Sequence, residues 1–323
     1  MLKRIVKRTL TAVLIILVVS IGLIGYSFVP GRLDVNAYKS GDAFQPLAIT
    51  DPSALPEVLL TLIECGKMKS RQSFVFLGGS WLEEYSSGMA SVLIKHPKAT
   101  LLFDCGFGAN VDEHFKNAPR LMRALTSYDK ETNAARQIEE FGIPLSQINT
   151  IILSHWHWDH VSGAEDFPGT EVLVSKAEED HIRTLPAGEL ISQLRGRLNL
   201  HSFDFSGGAY ENFDRSYDMF SDGTVVLVPL PGHTPGSTGL FVNLHSGKRF
   251  FFIGDLTWAI EGVQLPAERP WVSRKLVDQD EEQVRRSIVK VHQLLEKHPD
   301  LIIVPAHDRR SHDKIANFPM IER

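Results

Sequence analysis

The sequence predicts an α/β fold in which two β-sheets pack together with helices outside, preceded by one N-terminal transmembrane helix. Three observations predict it. Short apolar runs of strand length are interleaved with amphipathic helical segments in two successive halves. The composition, 43% hydrophobic and 23% charged over 323 residues, is that of a globular chain able to bury a large core. An uncharged, mostly apolar run also stands behind a basic N-terminus.

That run defines the first segment, residues 1–30. Lys3, Arg4, Lys7 and Arg8 precede Thr9–Val29, which is closed by Pro30 and Gly31. About 20 such residues at a 1.5 Å rise cover roughly 30 Å of hydrocarbon. The basic flank places the N-terminus in the cytoplasm and the remainder on the extracytoplasmic, periplasmic side. A cleaved signal peptide, giving a secreted protein, is the alternative, but no A-x-A-like cleavage site follows the run. Residues 31–56 shift to Asp, Ser, Gly and Pro and read as a linker. One catalytic domain is expected over 57–323.

Within that domain Val58–Ile63, Ser73–Leu77, Ser91–Ile94 and Thr100–Phe103 read as strands bounded by Gly, Pro and Lys. Asn133–Phe141 reads as a helix stopped at Gly142, with Pro144 just beyond. Ile148–Leu153 suits a buried strand. Ser175 and Glu178 have capping-box spacing and start a further helix. Strands follow at Thr224–Pro229, Gly239–Leu244 and Arg249–Ile253. Glu281–Lys297 carries Val284, Ile288, Val291 and Leu295 on one face, and Leu301–Val304 is a last buried strand.

A net charge of −5 argues against nucleic acid as a partner, since a phosphate backbone calls for clustered Lys and Arg. Cys65 and Cys105 are too few for a disulfide framework or a thiolate metal site, and read as small buried apolar groups.

The chemistry is concentrated in Ser154-His155-Trp156-His157-Trp158-Asp159-His160. Three imidazoles and a carboxylate in six residues, delivered by an apolar strand, form a dense set of metal ligands. In extended chain His155, His157 and Asp159 project to one side and the two tryptophans elsewhere. Three later segments repeat the pattern, each just past an apolar strand. Pro231–Ser237 presents His233 in a Gly/Pro loop, Phe251–Asp255 ends in Asp255, and Ile302–Asp308 presents His307.

This order of motifs resembles the metallo-β-lactamase superfamily, whose H-x-H-x-D-H motif stands at residues 155–160. The resemblance runs from about Val58 to Asp308. It implies a four-layer αβ/βα sandwich with the metal site at one edge of the two sheets. It also implies that His155, His157 and His233 hold one metal and Asp159, His160 and His307 a second, with Asp255 bridging. Two Zn2+ suit these ligands, although iron, manganese or cobalt fit as well. Such a pair lowers the pKa of a shared water from 15.7 toward about 7, giving a hydroxide nucleophile at neutral pH. Asp159 is the expected catalytic residue, holding the nucleophile's proton. His157 stands where the family's oxygen-reducing di-iron members carry Glu, which makes a redox or non-catalytic metal protein the least favoured class.

The ligand pattern is most similar to the branch of N-acyl homoserine lactonases and glyoxalase II-like enzymes. A small ester-type substrate, such as a hydrophobic acyl lactone, is therefore expected, with thioesters or phosphotriesters as alternatives. One departure bears on this. Lactonases of the family place Tyr three residues after the bridging Asp, whereas this chain has Trp258. Tyr210 or Tyr217 are candidates to replace its hydroxyl. Trp156, Trp158, Trp258 and Trp271 would form an aromatic approach if they line the mouth. Gly188–Tyr217 is expected to cover the site. Asp308 and His312 are candidates to orient a ligand imidazole, while His96, His114, His181, His201, His245, His292 and His298 read as surface groups.

Overall fold

Period-two alternation along single strands decides how the layers form. The computed structural model describes residues 2–26, 31–38 and 51–323. Seven strands make the first sheet: β1 (Leu59–Arg71), β2 (Glu84–His96), β3 (Ala99–Phe103), β4 (Ser127–Lys130), β5 (Thr150–Ile152), β6 (Glu171–Ser175) and β7 (Asn199–Phe203). Five make the second: β8 (Tyr217–Asp218), β9 (Val225–Pro229), β10 (Thr238–Asn243), β11 (Arg249–Phe252) and β12 (Ile302–Val304). Their orders are β4-β1-β2-β3-β5-β6-β7 and β12-β11-β10-β9-β8.

On β3, Leu101 and Phe103 enter the core between the sheets, while Leu102 packs outward. On β11, Phe250 and Phe252 face inward and Phe251 outward, where it stacks on Phe241 at 3.8 Å between centroids. The outer face of the first sheet is covered by helices carrying Ala134, Ile138, Val161 and Ile182. The second is covered by the helix Glu281–Lys297 through Val284, Ile288, Val291 and Leu294. Central strands such as β3 and β11 are thus apolar on both faces, and the order helix, sheet, sheet, helix is the four-layer sandwich.

Two expectations need correction. Ser73–Leu77 is not a strand: Gln72–Val75 forms one helical turn where the long β1/β2 pair ends at Arg71 and Glu84. Residues 2–26 do form a single helix, but among the described residues no helix is long and apolar enough to cross a membrane. The expected transmembrane helix, and with it the membrane as partner, is therefore not supported by the described residues. Of the expected linker, 39–50 lies outside the described residues.

The helix over the second sheet stabilises it by burying one apolar stripe. Ile288→Ala should lower the unfolding free energy by about 2–5 kcal/mol with an unchanged urea m-value. A loss under about 1 kcal/mol would mean the stripe does not bear on the sheet.

Candidate metal centre

Each candidate ligand sits just beyond the C-terminal end of a strand. β5 ends at Ile152 and leads into His155, His157, Asp159 and His160. β9 ends at Pro229 before His233, β11 at Phe252 before Asp255, and β12 at Val304 before His307. The Asp255 turn needs a left-handed residue, supplied by Gly254 at φ +51°. Because β11 and β12 are parallel neighbours, Asp255 and His307 leave the sheet side by side.

All seven residues converge. The potential ligand atoms of His155, His157 and His233 lie within 4.8 Å of one another, as do those of His155, His160 and Asp255, and those of Asp159, His160 and His307. His157 Nδ1 is 3.0 Å from His155 Nε2 and 2.9 Å from His233 Nε2. Asp255 faces both groups: Oδ2 lies 3.4 Å from His233 Nε2, and Oδ1 lies 3.2 Å from His160 Nε2 and 2.9 Å from His307 Nε2. Asp159 Oδ2 is 3.4 Å from His307 Nε2.

The far side of each ring is held. Asp104 accepts from the Ser154 backbone N–H at 2.7 Å and pairs with His160 Nδ1 at 2.8 Å. Ser154 Oγ lies 3.0 Å from His155 Nδ1. Asp278 Oδ1 meets His233 Nδ1 at 2.9 Å, and the Gly88 carbonyl meets His307 Nδ1 at 2.9 Å. Such partners fix which nitrogen carries the proton and leave the inward nitrogen as a ligand.

Glu178 ties two ligand loops together. Fully buried, it accepts from the Trp156 backbone N–H (2.9 Å), the Thr234 hydroxyl (2.8 Å) and the Gly236 N–H (3.0 Å). Gly236 is glycine for a packing reason, since a Cβ there would stand 2.1 Å from the Glu178 nitrogen.

The electrostatics suit a cation. Burial, reinforced by neighbouring imidazoles, holds His155 and His157 well below the usual pKa, so their lone pairs are free. Burial opposes protons on His160 and His307 as well, but the surrounding carboxylates outweigh it and raise both. Nε2 of His160 and Oδ1 of Asp255 are buried without hydrogen-bonding geometry to any protein group. Buried nitrogens and carboxylate oxygens turned toward one another are what a divalent ion satisfies, so the residues fit a metal.

Residues 89–307 match the model of the metallo-beta-lactamase superfamily. The chain belongs to that superfamily. A probable metallo-hydrolase of Mycobacterium bovis is 32% identical over 237 residues, 67% of this chain and 73% of the relative. The N-acyl homoserine lactonase AttM of Agrobacterium fabrum is 24% identical over 271 residues, 82% of this chain and 97% of the relative. An N-acyl homoserine lactone hydrolase solved with N-hexanoyl-L-homoserine at its catalytic metal center shares the fold, with a TM-score of 0.66 at 18% identity over 83% of this chain and 100% of that one. This metallo-β-lactamase superfamily member is a metal-dependent hydrolase with lactonase relatives.

Of the clefts that reach the centre, two lead past the expected aromatic residues. One is walled by Met68, Met89, Met122, Leu125, Val272 and Leu276 and ends on Asp159, Trp258 and His307. The other is more polar and opens beside His157, past Trp156, Trp158 and Glu189. Trp158 is nevertheless mostly core, stacked on Phe107, and Trp271 is exposed and lines neither cleft. The Gly188–Tyr217 segment reaches the second cleft only through Glu189 and Leu190. Neither Tyr210 nor Tyr217 stands at the centre: the Tyr210 hydroxyl bonds Asn243, and Tyr217 stacks on Phe203. Asp308 caps the helix Arg309–His312 and pairs with Arg310, while His312 packs against Gly88. His96 and His114 are buried, bonded to Asp222 and Glu165. Cys65 and Cys105 are free and buried.

Sequence reasoning missed Asp104, Asp278, Glu178 and Arg269. Asp104 was findable, because Leu101-Leu102-Phe103-Asp104 is the same apolar strand ending in a carboxylate that singled out Asp255. Its φ of +54°, rare outside glycine, marks the site further. Asp278 and Arg269 carry no such local sign.

Burial pushes the Glu178 carboxyl from 4.5 up to about 7, against the three hydrogen bonds that favour its charge. The folded state then binds more protons than the unfolded state between these values, so stability falls as pH rises across that window. Glu178→Gln should be less stable than the parent at pH 4.5, with the gap narrowing on the order of 3 kcal/mol by pH 7 or above. Urea titrations of the metal-free proteins at several pH values measure it, and a constant gap would refute the assignment.

Proposed function

We propose that this chain is a dinuclear hydrolase of an ester-type bond, acting on a small acyl lactone such as an N-acyl homoserine lactone. The observation that carries the reading is the convergence of seven His and Asp side chains at the end of an apolar cleft. In it His155, His157 and His233 would hold one zinc ion and Asp159, His160 and His307 the other, with Asp255, whose two oxygens face the two groups, available to both. Bound there, the ions supply a water of lowered pKa and a Lewis acid for the substrate carbonyl.

The chain's own residues do the rest. Asp104, Asp278 and the Gly88 carbonyl keep the rings oriented, so no reorganisation is needed when substrate arrives. Half-buried Asp159, at the floor of the cleft, holds the nucleophile's proton and returns it to the leaving alkoxide. The methionine-rich wall takes an acyl chain, and its flexible side chains suit more than one chain length.

One observation favours a second reading, thioester or phosphotriester hydrolysis. The Trp258 N–H donates to Asp255 Oδ2 at 2.7 Å and is committed to the ligand rather than to a substrate carbonyl. A good leaving group such as a thiolate or aryloxide makes attack less dependent on a donor at the carbonyl or phosphoryl oxygen.

The test is hydrolysis of a long-chain N-acyl homoserine lactone by the zinc-loaded protein. Turnover that falls about 100-fold or more in His157→Ala would support metal-dependent lactone opening. Absence of turnover, with two zinc ions confirmed per chain, would reject the lactone and leave thioesters and phosphotriesters.

A further inference from the structure

A single buried guanidinium links the two halves of the centre. Arg269 lies in the loop between the helices Glu261–Gln264 and Trp271–Val277 and is 2% exposed. Its Nη2 donates to the Asp255 backbone carbonyl and stands 3.3 Å from His233 Nδ1. Its Nη1 donates to the Leu256 carbonyl at 3.1 Å and lies 3.2 Å from Asp278 Oδ1, with both side chains only 1% exposed. The guanidinium carbon also sits 4.8 Å from the centroid of the Trp258 ring, whose N–H holds Asp255 Oδ2.

We infer that Arg269 is a positioning residue that couples the three-imidazole group to Asp255; this rests on the dinuclear reading above. Two chains of contacts leave the one side chain. Through Asp278 it fixes His233: the guanidinium holds the carboxylate in place, the carboxylate accepts the hydrogen bond from Nδ1–H, and Nε2 is left as the ligand. Through the Asp255 carbonyl and the face of Trp258 it sets the turn after β11 and the direction of the Asp255 carboxylate. A planar fork reaching an anion, two carbonyls and an aromatic face is work for arginine rather than lysine. A buried charge is costly to a fold, and its position tells what it is for: its Nε has no partner among the described residues, and every partner of the two Nη atoms is a ligand or one contact from a ligand.

The test is a cobalt(II) titration of the metal-free full chain, read by visible absorption and chelator competition, with circular dichroism and thermal melts on the same samples. His157→Ala identifies the step that belongs to the three-imidazole group. The double variant Arg269→Gln/Asp278→Asn removes the ion pair without stranding either charge. It should fold and bind cobalt about 10–100-fold more weakly at that step, with the Asp159/His160/His307 step, which shares Asp255, weakened several-fold less. Arg269→Lys, which keeps the charge and loses the fork, should give a smaller loss at the same step. Both steps unchanged, or both falling together with the melting temperature, would overturn the inference. Should the double variant not fold, an unaltered three-imidazole step in Arg269→Lys overturns it equally. Two cobalt ions on the parent and on an unaffected variant would sink this coupling alone, whereas a parent that binds none would sink the dinuclear reading with it.

Discussion

One imidazole nitrogen of His157 within about 3 Å of those of His155 and His233, beside a buried carboxylate facing two further imidazoles, forms a contact that no protein builds for stability alone. Everything around it is arranged to hold those groups in place. Removing several polar side chains from water is tolerable only if the outward atom of each is bonded and the inward atoms share a cation. The first condition is visible at Asp104, Asp278, Ser154 and the Gly88 carbonyl.

The two-sheet core answers the geometric half of that demand. Ligands separated by 152 positions, from His155 to His307, meet because β5, β9, β11 and β12 end along one edge of the sandwich. Rigid strands place the side chains, and short Gly-containing loops aim them. Glu178 then ties the loop after β5 to the loop after β9, and Arg269 ties the turn after β11 to His233. The strand ends are therefore tied to one another, which a site built for charge development requires.

Much of this was legible in the sequence. The strands β5, β9, β10, β11 and β12 and the helix Glu281–Lys297 fell within a residue or two of expectation, because each is short, apolar and bounded by turn residues. The ligands were legible for a related reason: each ends such a run, so local pattern and chemistry coincide. Ser73–Leu77 was misread because a short apolar run bounded by turn residues suits a strand, while the neighbouring β1/β2 pair leaves it no partner.

By itself the sequence determined which residue types could bind metal and on which strand ends they would stand, since those follow from contiguous spacing and apolar periodicity. Tertiary structure alone decided what stands behind them. Asp278 and Arg269 sit in an ordinary helical neighbourhood, and Glu178 looks like one more charged residue of a helix's first turn. Trp258 was visible as a departure, yet only the fold shows its N–H spent on Asp255. The reason is physical: a ligand is specified by its own chemistry, whereas its partner is specified by distance, and distance between remote segments exists only once the chain has packed.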